Sequence, residues 1–560
     1  MSFIVKKNIK GKEYYYLRES KREDGKVKAV TVAYLGKNKK EAEEKAKEFK
    51  SKKKDIEMEN KKGESKEQEK NEVKVVHIDL GVEELAGFCK RKGFVYASGE
   101  IYGGLSGFWD FGPLGVEMKN NLKKEWWKFH VHGREDIVGI DGSIITNPGV
   151  WKASGHVDSF VDVAVVCMKC KDKTKIDKFE LGKVKCSKCG GEFESKGEFN
   201  PMFTTNVGPV KEDSLLAYLR PETAQLIFAD FKLVQENSRL KLPFGIAQVG
   251  KSFRNEIAPR DFLFRSREFE QMEIEYFINP EKRVDCPYVK DVEGFELNVY
   301  SEEMQKDGKE PERMKIKEAL EKGIIKLPWH AYWLATELSW FFDLGVNQDK
   351  FRIRQHLSEE KSHYATDTWD LEYNFPFGWK ELQGIADRGN YDLTQHEEHS
   401  KKDLKIFDEE SGKKVLPEVI SEPSLGVERA FLVFLFDAYS KNQKGDIVLR
   451  LNPKLAPVKA AVFPLVKTDE KLVKLAKDIY VDLRKEFNIV HDISGSVGRR
   501  YARNDEMGTP FCITVDGDSV KNNDVTVRER DSTKQVRVKV DILGDTLRKL
   551  ISGDLKFEGL

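Results

Sequence analysis

The chain has 560 residues, of which 39% are hydrophobic and 34% charged, and its 96 Lys+Arg nearly balance 95 Asp+Glu. It is long and apolar enough for several cores of roughly 150 residues each, and the composition excludes a wholly disordered, collagen-like or disulfide-stapled chain. No apolar run approaches the roughly 18 residues that cross a bilayer, the start MSFIVKKN has no signal-peptide core, and seven cysteines, four of them in CxxC pairs, fit metal binding in a reducing cytoplasm better than a disulfide framework.

The near-zero total hides an asymmetry. Residues 1–70 carry 22 Lys/Arg and 14 Asp/Glu, a basic arm on a mildly acidic body, which suggests a polyanionic partner. Residues 14–17 and 27–35 alternate as strands around Asp24-Gly25, so 1–36 reads as a β-hairpin module, with a weak likeness to hairpin modules that open some DNA-transacting proteins. Residues 37–72 read as a charged helix or linker, too poor in apolar groups to offset its ordering entropy. Asp79 is the expected N-cap of a helix bearing Leu85, Phe88 and Cys89 on one face and ending at Gly93. A longer helix starts at Pro113, with Leu114, Met118, Leu122, Trp126 and Phe129 on one stripe. Residues 281–350 read as an insertion, charge-rich over 281–326. Residues 453–560 read as a separate α/β unit, with strands at 458–464, near Ile489, and at 511–515, 525–530 and 536–540, and a helix at 472–483.

Residues 245–252, GIAQVGKS, match the P-loop pattern GxxxxGK[ST] letter for letter, but that motif needs a strand before it and a helix after it. Pro243 precedes the run and alternation passes straight through it, so a strand is expected instead. Side chains two apart then share a face: Ile246, Gln248, Ser252, Arg254 and Glu256 on one side, Ala247, Val249 and Phe253 on the other. After a loop over 257–265, a second strand over 266–277 places Phe269, Gln271, Glu273 and Glu275 together, with Met272, Ile274 and Tyr276 behind. The hairpin presents arginine, carboxylates and an aromatic ring on one surface.

Cys167-x2-Cys170 and Cys186-x2-Cys189, fifteen residues apart, have zinc-ribbon spacing, and four thiolates make a closed, structural Zn²⁺ site. His396 and His399 lack further ligands and read as exposed helix or loop residues. Cys89, Cys286 and Cys512 read as isolated thiols.

RNE at 254–256 with FLFRSREFEQMEIEYF at 262–277 resembles motif 2 of class II aminoacyl-tRNA synthetases, and GVERAFLVFLF at 426–436 resembles motif 3. The helix from Pro113 and the strand leading to Pro148 resemble motif 1, the dimer-forming element. With SGEIYGGL (98–105), WDFGPLG (109–115), WKASGH (151–156), LRPETAQ (219–225), GWKELQGIADR (378–388), SEPSLGVER (421–429) and RYARNDEMGTPFCITVD (500–516), residues 79–556 resemble glycyl-tRNA synthetases of the archaeal, eukaryotic and dimeric bacterial type.

That resemblance implies an α+β fold: an antiparallel sheet core flanked by helices (73–452), a zinc ribbon inserted at 163–197, and a C-terminal α/β anticodon-binding domain (453–560). It implies a cytoplasmic homodimer, without membrane attachment, that activates glycine with ATP and Mg²⁺ and transfers it to tRNA. Arg254, Arg429 and Glu381 would be catalytic, Glu381 by holding Mg²⁺. Asn255, Glu256, Phe264, Arg265, Arg267, Phe269, Leu382 and Gly426 would join them around ATP. Glu222, Phe269, Gln271, Glu273, Glu422 and Ser424 would form the glycine pocket. Lys175, in the run Lys175-Ile176-Asp177, stands where relatives often carry arginine. A non-catalytic synthetase-like binding subunit is the rival reading, and such relatives usually lose the motif arginines that this chain keeps.

Overall fold

The computed structural model describes residues 80–560 except 177–181, 187, 210–213 and 361–366, and, before residue 80, residue 45 and the backbone of 2–9, 12–23, 26–36 and 76–77. It divides into two units, residues 1–74 and 75–560. In the first, β1 (Ser2–Ile9), β2 (Lys12–Glu23) and β3 (Lys26–Gly36) form an antiparallel sheet in that order. The expected hairpin is β2–β3. β1 was not anticipated, because Phe3-Ile4-Val5 followed by Lys6-Lys7-Asn8 has no period-two alternation. Apart from residue 45, the expected linker at 37–72 lies outside the described residues, as does Asp79.

The first helix of the second unit, α1 (Val82–Lys92), buries Leu85, Phe88 and Cys89; its N-cap is Gly81, and Gly93, at φ 81°, ends it by returning its N–H to the carbonyls of Cys89 and Lys90. α2 (Pro113–Trp127) has Pro113 in its first turn, where an N–H would have no helical partner, and buries Met118, Leu122 and Trp126. After β4 (Ile137–Ile140) come β5 (Asp162–Cys167), β6 (Lys173–Ile176) and β7 (Phe193–Phe199), a small antiparallel sheet of order β6-β5-β7. α3 (Ala224–Ser238) precedes the long antiparallel pair β8 (Phe244–Phe253) and β9 (Glu268–Ile278). Then follow β10 (Glu296–Tyr300), β11 (Glu312–Lys315), α4 (Pro328–Asp343), β12 (Phe351–Gln355), β13 (Asp367–Phe375), β14 (Gly378–Asp387), α5 (Tyr391–Ser400), β15 (Glu418–Gly426) and α6 (Val427–Ala438).

These strands build one nine-stranded mixed sheet of order β11-β10-β12-β13-β14-β15-β9-β8-β4, parallel only at β10–β12 and β8–β4. Both faces are covered. Met272, Ile274 and Tyr276 of β9 pack with Trp126 of α2, Trp333 of α4 and Phe434 of α6. On the other face Ile246 and Phe277 pack with Ile227 and Phe231 of α3 and Leu393 of α5. Residues 281–350, expected as an insertion, supply two edge strands and α4, whose Trp329, Trp333, Trp340 and Phe341 lie in the core. Charge in 281–326 belongs to the sheet edge, and the apolar run that follows it is a core helix.

The chain ends in a five-stranded sheet of order β17-β16-β18-β19-β20, built from β16 (Ala460–Pro464), β17 (Ile489–His491), β18 (Phe511–Val515), β19 (Asp524–Glu529) and β20 (Gln535–Lys539). The helices around it are α7 (Glu470–Leu483), α8 (Val497–Met507) and α9 (Leu543–Ser552). The expected strands and first helix are present; α8 and α9 were not foreseen. No described helix is long and apolar enough to cross a membrane.

Candidate active site

The P-loop look-alike is strand β8, and its two glycines have packing reasons. A Cβ on Gly250 would sit 2.1 Å from the Arg220 guanidinium, and one on Gly245 would sit 3.0 Å from Ile137. Lys251 is exposed and pairs with Glu268. Arg220 is buried and spends its donors on the Lys251 carbonyl (2.6 Å), the Gly142 carbonyl (2.7 Å) and Gln248 Oε1 (3.0 Å).

Across β8, the register pairs Ser252 with Phe269, Gly250 with Gln271, Gln248 with Glu273 and Ile246 with Glu275, so the alternation expected on both strands holds. A cavity of about 560 Å³ opens over this face. Of the expected site residues it is lined by Arg254, Glu256, Phe264, Arg265, Phe269, Glu381, Leu382, Gly426 and Arg429, and by Glu222, Gln271, Glu273, Glu422 and Ser424. Three others stand apart from that lining. Asn255 is exposed, with its N–H on the Pro201 carbonyl. Arg267 turns back to donate to the carbonyls of Glu256 (2.9 Å) and Ser106 (2.7 Å), fixing the loop between β8 and β9. Lys175 lies on β6 opposite Ala164, and its side chain is outside the described set.

One end of the cavity is cationic and aromatic. Arg254 donates to the Pro221 carbonyl (2.9 Å) and sets its guanidinium 5.5 Å from the Phe269 ring. Arg429, in the first turn of α6, lies 4.6 Å over Phe264 and donates to Glu381 Oε1 (3.0 Å). That guanidinium holds the exposed Glu381 carboxyl below its usual range. Arg265 donates to Glu256 Oε2 (2.9 Å). Deeper, Asp370 accepts from or donates to His356 Nε2 at 2.8 Å; burial lifts the Asp370 carboxyl to about 6 against the pull of His356.

The other end is acidic. His156 Nε2 lies 3.4 Å from Glu222 Oε2, and Gln225 donates to Glu222 Oε1 (3.1 Å) and Asp392 Oδ1 (2.9 Å). Burial pushes Glu222 upward, but His156, Arg388 and Arg254 outweigh it and hold the carboxyl well below the carboxylate range. Glu273 accepts from Thr223 Oγ1, and burial with the Glu222 charge raises its carboxyl. Gln271 donates to Ser424 Oγ (3.1 Å). Arg388, buried, forks onto Asp392 (2.7 and 2.8 Å) and Glu422 Oε1 (2.7 Å). Burial still pushes Glu422 up to about 8, with Glu273 and Glu222 adding to it. Partnered carboxylates around a small space are suited to an ammonium group.

His156, Thr223, Gln225, Arg388 and Asp392 were not anticipated as site residues. The first four fall inside the runs WKASGH, LRPETAQ and GWKELQGIADR, so the signal was present, but spacing along the chain does not say which residues meet in space. His396, expected to be unremarkable and exposed, is buried and shares Gln225 Oε1 at 3.0 Å, while His399 is exposed.

Apart from the cavity, Cys167 and Cys170 flank the turn from β5 to β6, and Cys186 and Cys189 form a second turn in which the Cys186 carbonyl accepts from Gly190 N–H (2.7 Å). The four sulfurs lie within 4.8 Å of one another, with Sγ–Sγ separations of 3.4 Å (Cys167–Cys189) and 3.6 Å (Cys170–Cys186). Tetrahedral zinc with bonds of about 2.3 Å needs separations of about 3.8 Å, so the donor set fits that ion.

The anticodon binding domain family matches residues 459–550, and the N-terminal domain of IS1634 family transposases matches residues 4–66. The chain is 44% identical over 496 residues to a glycine–tRNA ligase of Thermobifida fusca, covering 84% of this chain and 98% of that protein. It is 45% identical over 472 residues to the glycine–tRNA ligase of Borreliella burgdorferi (82% and 96%), and 43% identical over 510 residues to that of Caldanaerobacter subterraneus (86% and 100%).

Proposed function

The chain belongs to the glycine–tRNA ligase family, and from that premise we propose that the 560 Å³ cavity is where glycine and ATP become glycyl-adenylate and pyrophosphate before glycine passes to the 3′ end of its tRNA. The observation that carries this reading is the convergence of Arg254, Arg429 and Glu381 with Glu222, Glu273 and Glu422 around one space.

The reaction is attack of a carboxylate on the α-phosphate, and charge builds on phosphate oxygens. Fixed positive charge and positioning therefore matter more than acid–base groups. Arg254, a planar fork already oriented by Pro221 and Phe269, meets the α-phosphate and the glycine carboxylate. Phe269 and Arg429 cover the two faces of adenine, with Phe264, Leu382 and Gly426 at its edge. Glu256 reads the exocyclic amine, leaving Arg265 for the triphosphate. Arg267 shapes the loop and Asn255 its entrance. Glu381, an ionised carboxylate, would hold the magnesium that accompanies ATP through a hard oxygen, and such an ion would supply charge to offset the phosphates. Glu222, Glu273 and Glu422 hold the glycine ammonium. Gln271 and Ser424 close the space beside it, and Lys175 is the counterpart of the family arginine.

The finer class belongs to the same proposal: a cytoplasmic class II synthetase, dimeric through α2 and the segment leading to Pro148, with a structural zinc on Cys167, Cys170, Cys186 and Cys189. The relatives named above are bacterial, so the archaeal and eukaryotic subtype rests on the sequence motifs alone. Arg254→Ala and Arg429→Ala test the site. Losing one fixed transition-state donor costs roughly 3–4 kcal/mol, so each variant should fold and yet show at least a hundredfold slower glycine-dependent pyrophosphate exchange. Near-normal exchange in both contradicts the assignment.

A further inference from the structure

Glu275 sits two residues beyond Glu273 on the same face of β9 and is completely buried. Neither of its carboxyl oxygens has a hydrogen-bond partner. Ligand oxygens of Glu275, Glu273 and Glu422 all lie within 4.8 Å of one another. The charged groups around it come from every neighbouring element: Glu273 from its own strand, Glu422 from β15, Arg388 from the end of β14, and Asp392 from α5. Arg388 forks onto Asp392 and Glu422, and Thr223 donates to Glu273. An ionised Glu275 would add a buried, unpaired negative charge to this group, which costs several kcal/mol. A proton on it removes the charge and leaves a donor beside the carboxyl oxygens of Glu273 and Glu422.

Resting on the reading of this pocket as the glycine site, we propose that Glu275 is a positioning residue: it stays a neutral carboxylic acid whose single O–H is offered to the neighbouring carboxyl oxygens of Glu273 and Glu422, one at a time, holding that acidic group in place for the substrate ammonium. Burial first, and the Glu422 charge second, drive its carboxyl well above the usual range. An apolar site that keeps a carboxylic acid neutral so that it can donate is established chemistry. The role is distinct from that of Glu222, Glu273 and Glu422, which meet the substrate themselves.

The test uses the full-length enzyme. Infrared difference spectra of wild type against Glu275→Gln should show, at neutral pH, the carbonyl stretch of a protonated carboxylic acid, sensitive to D₂O and absent from the variant. Glu275→Gln keeps shape, neutrality and a donor, so its glycine KM should stay within about threefold of wild type. Glu275→Leu lacks the donor and should raise glycine KM about tenfold or more, with ATP KM unchanged. The proposal is overturned if the acid band is absent, if the glutamine variant is as impaired as the leucine one, or if the leucine variant keeps wild-type glycine KM. Should Glu275→Leu fail to fold, the band and the glutamine variant still decide. If Glu222→Gln also leaves glycine KM untouched, the pocket assignment itself has failed; if only Glu275→Leu is silent, this proposal alone has.

Discussion

To hold the glycine ammonium as proposed, Glu422 must be ionised, yet burial pushes it up to about 8, with Glu273 and Glu222 beside it and Arg388 opposing. Below that pH a bound cation therefore expels a proton. Glycine KM should fall as pH rises from 6 to 8, by at most about tenfold per unit for one proton, while ATP KM stays level. Glu422→Gln should flatten the slope; a wild-type profile already flat would remove Glu422 from the ammonium site. Glu222→Gln and Glu273→Gln should each raise glycine KM at least tenfold with little effect on ATP, measured by steady-state exchange. An unchanged glycine KM in both variants would mean that the pocket lies elsewhere. At this scale the sequence was informative about residues and mute about their partners. Period-two alternation put Phe269, Gln271 and Glu273 on one face, and the register confirms that. Nothing along the chain could pair Arg388 with Glu422, thirty-four residues on, or His156 with Glu222.

Helix α2 is tied to β9 and α6 by one buried lysine. Lys119 Nζ lies 2.7 Å from both Glu270 and Glu428, Lys123 supports Glu270 at 2.8 Å, and Glu428 Oε2 accepts the Glu270 N–H at 2.8 Å. Lys119→Met would leave Glu428 without a cation and Glu270 with Lys123 alone; removing one partner of a buried pair typically costs about 3–5 kcal/mol, visible as a lowered thermal midpoint. Lys119 and Lys123 outweigh burial and hold the Glu270 carboxyl below its usual value. Its stabilising contribution is therefore present above the unfolded carboxyl value and lost as pH falls through the folded one, and the Lys119→Met penalty should shrink over the same acid range. A penalty that does not change with pH would assign the loss to packing. The stripe expected on α2 holds, but Lys119 beside it was invisible, because a lysine in a helix reads as solvated until its partners are placed. The P-loop pattern was resolved by context: β8 continues through Gly250 because Arg220 occupies the space a side chain would need. Gly250→Ala should therefore destabilise the protein, whereas Lys251→Ala, at an exposed pair with Glu268, should leave ATP binding nearly intact.

Across the whole molecule, the two CxxC pairs and the anticodon-binding unit were legible because spacing and strand order are local. The two edge strands within 281–350 were not legible because they are charged and short, so their sequence resembles a surface loop until the sheet they extend is known. Elemental analysis should find one zinc per chain, and Cys170→Ser should lower both the metal content and the resistance of residues 163–197 to proteolysis, since structural zinc contributes folding energy directly; metal-free protein purified without chelator would refute that site. The basic arm is a three-stranded unit matched by a transposase N-terminal domain. Removing residues 1–72 should weaken tRNA binding and flatten its salt dependence while sparing glycine activation; unchanged affinity and slope would assign the arm another purpose. The most direct test of the account is ATP–pyrophosphate exchange by the full-length enzyme with each of the twenty amino acids in turn. Exchange stimulated by glycine and by no larger amino acid is the predicted result, whereas equal stimulation by alanine, or none by glycine, would contradict it.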